Sequence, residues 1–196
     1  MDVRLPCDVH VPLIGSGAIR EPLEGENYKA CRWIEDKSWW FRKEFRIDGP
    51  GEAFRRVELT IESLDAEADV FLNGTALGRH RSAFYPLARD VKELLVQGTN
   101  TLLVRVTSGL EHFSEQDIAG LKPYEVWHGS RDDGSWGDAR RALVRKPQYV
   151  YGWDHCPRLA TCGIMGEAKL DFLTDVRIGS VQGFDRLSVI PQCVRM

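Results

Sequence analysis

Three aromatic side chains and one carboxylate lie within six consecutive residues, at Tyr149, Tyr151, Trp153 and Asp154. An aromatic ring can stack on the C–H face of a sugar, and a carboxylate can accept hydrogen bonds from its hydroxyls. Alternation over residues 145–154 predicts a strand with the three aromatic rings on one face. The pattern indicates a sugar contact. The alternative, aromatic rings in a sandwich core and Asp154 at a turn, is favoured by the general enrichment of aromatic residues in strands.

Other residues that could bind a metal or catalyse a reaction have spacings less typical of such sites. His155, Cys156 and Cys162 would bind zinc only with a fourth ligand from elsewhere, and their loose spacing lacks the two close pairs typical of zinc sites. Asp65 and Asp69 lack a dense cluster of oxygen ligands, so we interpret them as strand-end and surface groups. Known nucleophile, metalloprotease and phosphate-loop motifs are missing from the sequence. We therefore predict no catalytic residue, no metal site and no cofactor in this chain.

Short segments in which apolar and polar residues alternate must position the aromatic stretch at residues 145–154. Each has apolar side chains on one face and polar side chains on the other, which is typical of half-buried strands. These segments are residues 39–47, 56–62, 65–72, 101–106 and 167–172. Asn73-Gly74 follows the third segment directly and predicts a hairpin. The pattern predicts an all-β fold, a jelly-roll β-sandwich with one or two short helices.

Two short helices are expected between these strands. Val91, Leu94 and Leu95 have helical spacing, which predicts about two turns with Asp90 as a candidate N-cap. Residues 138–144 are the second candidate and lead into the aromatic stretch.

The periodicity disappears between Gly109 and Gly137. A loop of this length inside a compact domain is usually functional or mobile. Trp127 and Trp136 lie in it, and either edge a sugar site or pin the loop to the sandwich. Trp33 has the same two interpretations, a sugar-stacking residue or a packing residue, and packing is the commoner role of such a tryptophan.

Composition narrows the classes of function. A length of 196 residues suits one large domain or one domain with the start of another. The net charge of −3 offers no basic field for nucleic acid, and the sequence lacks an apolar run of the roughly 20 residues that would span a bilayer. Five cysteines without regular spacing favour free thiols in a reducing compartment, so we expect a cytoplasmic protein without nucleic-acid or membrane partners.

Four stretches of the chain, in order, resemble the first domain of β-mannosidase-like enzymes of glycoside hydrolase family 2. The first is Pro6-Cys7-Asp8-Val9-His10, and the second runs from Asn27 to the aromatic group around Trp39-Trp40-Phe41. The third ends in Leu72-Asn73-Gly74. The fourth begins at Arg145-Lys146-Pro147-Gln148-Tyr149 and continues through Gly152-Trp153-Asp154 to Gly163-Ile164. His155, Cys156 and Met165 depart from this pattern, where the family has Trp, Gly and Trp.

The resemblance implies a galactose-binding-domain-like jelly roll over residues 1–174, with residues 175–196 as a linker or the start of an immunoglobulin-like domain. It implies that Trp153 and Asp154 help to line a pocket for a terminal β-linked sugar, mannose being one candidate. It also implies that both catalytic glutamates belong to a barrel of the same polypeptide, a second partner of this domain. A stand-alone carbohydrate-binding module and a purely structural scaffold remain the alternatives.

Overall fold

The computed structural model of the protein describes residues 1–49, 54–120, 139–153 and 155–174. Within these ranges the chain forms ten strands in three antiparallel sheets. Their bounds are β1 Cys7–Asp8, β2 Trp39–Ile47, β3 Arg56–Ile61, β4 Leu64–Asp65, β5 Glu67–Leu72, β6 Thr75–Arg81, β7 Leu87–Asp90, β8 Gly98–Thr107, β9 Gly163–Ile164 and β10 Ala168–Leu173. The predicted second domain at residues 175–196 lies outside the described residues, as do Trp127 and Trp136.

Two of the sheets face each other and form the sandwich. One has the strand order β2-β8-β5-β6, and the other has the order β10-β3-β7. The third sheet, β1-β9-β4, consists of two-residue strands. The all-β jelly-roll prediction is confirmed, and each of the five alternating segments lies on a strand.

The core lies between the two large sheets because every second residue of their strands points inward. Burial follows the predicted alternation along β3, β5 and β8. The buried side chains of these strands that share one core are Val57, Leu59, Ile61, Ala68, Val70, Leu72, Leu102, Val104 and Val106. On β2, which pairs with β8 at the edge of the same sheet, Trp39, Phe41 and Phe45 are only partly buried.

The interior of the sandwich opens between the edge strands β2 and β10. A cavity of about 920 Å³ lies there, and residues 1–5 line part of it. Phe41 and Leu170 line it from the two facing sheets. The open side explains why the apolar face of β2 is less buried than that of its neighbour β8.

Helices are few and short. The α-helices are α1 His10–Gly15 and α2 Glu115–Ala119. The 3-10 helices are Asn27–Asp36, Lys92–Leu94, Leu110–His112, Ala139–Leu143 and Gln148–Tyr151. In the described part of the chain, none of the helices has the length and apolar character needed to cross a bilayer.

The helix predictions are met in part. The helix predicted from Val91 is a single 3-10 turn at Lys92–Leu94, not two turns. Asp90 ends β7, and its carboxylate accepts a hydrogen bond from the Lys92 N–H at 3.1 Å. The candidate helix at residues 138–144 is present as Ala139–Leu143.

Two asparagines join the predicted hairpin to β8. Asn73 has the left-handed φ of 50° that the tight turn requires, and its side-chain amide donates to Asn100 Oδ1 at 2.8 Å. Its Oδ1 accepts from the Thr101 N–H at 2.8 Å. Asn100 is fully buried and also bonds Val96 in both directions, at 2.7 and 2.9 Å. The hairpin is therefore held by side-chain amides as well as by strand pairing.

Candidate functional site

Within the aromatic stretch, Gln148–Tyr151 form a 3-10 helix, so the strand predicted over residues 145–154 is wrong. Pro147 precedes the helix with φ of −55°, and Gln148 donates side-chain hydrogen bonds to the Val144 and Lys146 carbonyls at 3.2 and 3.1 Å. The helix ends at Gly152, whose φ of 107° is strained for residues with a side chain. These local interactions outweigh the alternating pattern of the side chains.

The three aromatic rings consequently do not form a row. A 3-10 helix repeats every three residues, whereas a strand repeats every two, so Tyr149 and Tyr151 point in different directions. Tyr149 is 58% exposed, Tyr151 is 0% exposed and Trp153 is 43% exposed. Only Trp153 of the two predicted contact residues can be located, because Asp154 lies outside the described residues.

Trp153 begins a tight turn on the protein surface. Its N–H donates to the Cys156 carbonyl at 3.1 Å, and the Cys156 N–H donates back to the Trp153 carbonyl at 3.1 Å. His155 and Cys156 are exposed. We call residues 153–156 the Trp153 turn. It presents an accessible indole next to the position in the sequence where the predicted carboxylate stands.

The base of the Trp153 turn is anchored in the interior through Tyr151. The Tyr151 hydroxyl donates to the Ser108 carbonyl at 3.0 Å, directly after β8. The Lys146 ammonium and the Arg158 guanidinium lie 5.5 and 5.8 Å from the centroid of the Tyr151 ring. Both distances suit attraction between a cation and an aromatic ring.

Arg158 is paired with Glu35 of the 3-10 helix Asn27–Asp36. Its Nη2 and Nε donate to the two oxygens of that carboxylate at 2.7 and 3.1 Å. Both side chains are buried. The Ser108 hydroxyl donates to the Glu35 backbone carbonyl at 2.7 Å, which links this pair to the anchor of Tyr151.

Lys146 is paired with Asp65 of β4. The two side chains are buried, and Nζ lies 2.7 Å from Oδ1. Lys146 also donates to the Thr161 carbonyl at 2.6 Å, and the Thr161 hydroxyl donates to Asp65 at 2.5 Å. Asp65 does end a strand, as predicted, but it is not a surface group, because this carboxylate is a buried partner of a lysine.

Asp69 is a partly exposed group on the outer face of β5. Burial by itself would raise its pKa, but hydrogen bonds from Arg79 and Arg105, at 2.9 and 3.0 Å, outweigh that effect and lower it. Asp65 and Asp69 thus bind cationic side chains rather than a common ion. Among the residues that the structure describes, no three histidine, cysteine or acidic side chains converge as a metal site would require.

The candidate zinc ligands differ in environment. Cys162 is completely buried, and burial raises the pKa of its thiol well above the ordinary range. Cys156 is exposed on the Trp153 turn. Trp33, the other candidate stacking residue, is 40% exposed and tilts against Trp39 at a centroid distance of 5.9 Å, so it combines packing with access to solvent.

Sequence reasoning did not assign a role to the buried charges around Tyr151. The family resemblance was the available signal in the sequence for these residues. The stretches that carry it contain or adjoin Lys146, Glu35 and Arg158. Their pairing was not visible, because Glu35 and Arg158 are 123 residues apart.

A family model described as glycosyl hydrolase 2 galactose-binding domain-like matches residues 1–166. The chain belongs to this family. The match confirms the predicted family as well as the fold class. It covers nine of the ten described strands, all except β10, together with the Trp153 turn and the residues that anchor that turn.

Proteins with similar sequences include β-mannosidases. The chain is 33% identical to β-mannosidase B of Thermothelomyces thermophilus over 82% of its own length and 18% of the relative's. It is 28% identical to a probable β-mannosidase of Caenorhabditis elegans, with the same two coverages. The crystal structure of β-D-mannosidase from Dictyoglomus thermophilum superposes with a TM-score of 0.75 at 33% identity, covering 87% of this chain and 20% of that one. The chain thus spans about a fifth of the length of these proteins.

Proposed function

We propose that the chain is the N-terminal, non-catalytic carbohydrate-binding domain of a retaining, β-mannosidase-like glycoside hydrolase. In this proposal Trp153 and Asp154 form part of the wall of the pocket for the terminal sugar. The observation that carries it is the exposed indole of Trp153 on a surface turn whose base is anchored in the sandwich. The similarity to β-mannosidases along most of the chain supports the same function.

The two residues would act differently on the sugar. The indole of Trp153 would pack beside the apolar face of the ring or hold Asp154 in place, and the carboxylate of Asp154 would accept hydrogen bonds from hydroxyls. A charged acceptor makes a stronger hydrogen bond than a neutral one, so Asp154 would contribute most of the orientation. Retaining hydrolysis needs two carboxyl groups about 5–5.5 Å apart, and we assign both to a barrel elsewhere in the polypeptide.

We also propose a cytoplasmic location for the protein. Cys7, Cys31, Cys156 and Cys162 are free thiols, which supports a reducing compartment.

The first test is the mass of the native gene product. We expect a polypeptide several times heavier than the 22.3 kDa of this chain. A native product of the same mass as the chain would exclude the enzyme-domain proposal. A stand-alone binding module would then be the better interpretation, and titration of the chain with mannose, galactose and glucuronic acid would measure its affinity directly.

The second test uses variants of the complete polypeptide. We expect Trp153→Ala and Asp154→Ala each to lower kcat/KM for an aryl β-mannoside at least tenfold, with little change in the free energy of unfolding. Trp40→Ala is the matched control, because Trp40 is also an exposed tryptophan but lies on β2 and stacks on Phe71. Unchanged turnover in both variants of the Trp153 turn would remove these residues from the sugar pocket.

A further inference from the structure

We propose that the buried ion pairs Glu35–Arg158 and Asp65–Lys146 are positioning pairs that hold the Trp153 turn in one orientation. The effect of these ion pairs on enzymatic turnover rests on the proposed function. Their effect on the orientation of the Trp153 turn does not. None of these four charged residues contacts the sugar in this proposal. They act through the backbone that carries Trp153.

The two pairs bracket the Trp153 turn along the chain. Lys146 lies before it and Arg158 lies after it. Lys146 reaches Asp65 on β4, and Arg158 reaches Glu35 on the 3-10 helix Asn27–Asp36. The two ends of the segment are therefore fixed to two different elements, both outside the two large sheets. A shift of the turn would have to stretch at least one of these contacts.

The segments on either side of the turn are also joined to each other. The Leu159 N–H donates to the Val150 carbonyl at 3.0 Å, which closes the loop below Trp153. The fully buried ring of Tyr151 lies near both cations and contributes a hydrogen bond to Ser108. One buried ring thus couples the two ion pairs.

The choice of charged rather than apolar residues supports a positional role. A buried ion pair contributes little net stability compared with apolar side chains of similar volume, because desolvation offsets the attraction. Its contacts are directional, however, and the two-pronged pairing of an arginine with a carboxylate sets both distance and angle. An apolar cluster would fill the same space with less constraint on the direction of the turn.

The test replaces each pair as a unit. The variants Glu35→Leu/Arg158→Met and Asp65→Asn/Lys146→Met remove both charges of a pair together, so each variant is expected to fold with a melting temperature near that of the wild type. Hydrogen exchange of the full chain is then measured by mass spectrometry on peptides that cover residues 150–160. We expect exchange in this segment to accelerate at least tenfold, while peptides from β8 keep the wild-type rate.

A matched control is the double variant Asp69→Asn/Arg79→Gln, which removes the salt bridges of Asp69 with Arg79 on β6 and with Arg105 on β8. We expect wild-type exchange around Trp153 in this control. Unchanged exchange at residues 150–160 in both pair variants would overturn the positioning role. If Glu35→Leu/Arg158→Met does not fold, it is replaced by Arg158→Lys, which keeps the charge but loses the two-pronged contact, and for which the same acceleration is expected.

Turnover by the complete polypeptide provides a second measurement. We expect the pair variants to lower kcat/KM at least fivefold, and the Asp69→Asn/Arg79→Gln control to keep it. If Trp153→Ala leaves turnover unchanged, the proposed function fails, and hydrogen exchange still decides whether the pairs position the turn. If Trp153→Ala impairs turnover but the pair variants change neither exchange nor kcat/KM, the positioning inference alone fails.

Discussion

Glu35 and Arg158 are separated by 123 residues in the sequence and form a bidentate ion pair with side chains 3% and 0% exposed. The pair connects a helical segment that precedes β2 with the chain that follows the Trp153 turn. It therefore joins two stretches of the family resemblance that are remote in sequence. The contribution of this pair to the free energy of unfolding can be measured separately from that of the surface ion pairs.

Removal of the cation alone should be costly. Arg158→Met leaves the buried carboxylate of Glu35 without its guanidinium partner, and we expect the free energy of unfolding to fall by about 3–5 kcal/mol. Chemical denaturation measures this loss. The control is Arg42→Met, because Arg42 pairs with Glu44 on an exposed face, and such pairs contribute only about 0–1 kcal/mol. Losses of equal size in the two variants would contradict the assignment of Glu35–Arg158 as a buried pair.

Gly163 should tolerate no side chain. A Cβ at this position would lie 2.1 Å from the Cys7 carbonyl oxygen, in the pairing of β9 with β1. We expect Gly163→Ala to lower the free energy of unfolding by at least about 1–3 kcal/mol, the usual cost of overpacking. Thermal and chemical denaturation provide the measurement. Gly15→Ala is the control, since a Cβ at Gly15 meets no atom within 4 Å, and a neutral or slightly positive change is expected there.

The cysteines should differ strongly in reactivity. Burial raises the pKa of the Cys162 thiol and shields it from reagents, whereas Cys156 is exposed. Brief treatment of the native protein with iodoacetamide at pH 8 should label Cys156 and leave Cys162 unlabelled, as read from peptide masses. Labelling of both cysteines in urea is the control for intrinsic reactivity. Labelling of Cys162 at the rate of Cys156 in the native protein would show that this part of the core is open to solvent.

The pH dependence of stability should contain a contribution from Glu67. Burial raises the pKa of this carboxyl, and the nearby His112 and Arg81 offset only part of that effect. The folded state therefore holds the Glu67 proton to a higher pH than the unfolded chain does. The stabilisation is complete below the unfolded pKa of about 4.3 and is lost as the pH rises through the folded pKa.

Glu67→Gln should remove the loss of stability that the wild type shows as the pH rises through the folded pKa of Glu67. We expect the free energy of unfolding of the variant, relative to that of the wild type, to improve as the pH rises above about 4.3. Urea titrations at closely spaced pH values measure the difference. His112 Nε2 lies 3.0 Å from Glu67 Oε2, so the comparison is repeated in a His112→Gln background to separate the imidazole from the carboxyl. The raised pKa of Glu67 would be contradicted if Glu67→Gln left the pH dependence of the free energy of unfolding unchanged in both backgrounds.

The strands were predictable because their signal is local. Every second residue of a half-buried strand faces the core, so the alternation in β2, β3, β5, β8 and β10 can be read from the chain itself. The Asn73-Gly74 hairpin is local in the same sense, since its turn needs residues that accept positive φ.

The segment 145–154 shows where the local signal fails. Its alternation was real in the sequence, but Pro147, Gly152 and the side chain of Gln148 favour a short 3-10 helix. The Tyr151 ring lies in the interior beside two buried cations, whereas Trp153 lies outside. The predicted aromatic row was wrong because alternation cannot show which rings meet buried charges.

The sequence by itself determined the all-β class, the main strands, the hairpin and the membership of a glycoside hydrolase 2 domain family, because each depends on short-range periodicity or on motifs that lie in one stretch. Only the tertiary structure decided that Tyr151 is buried while Trp153 is exposed, and that Asp65 and Glu35 are partners of Lys146 and Arg158. Those pairs join residues that are remote along the chain. The free energy of burying a charge depends on the partner that the fold places beside it, and spacing along a sequence does not contain that information.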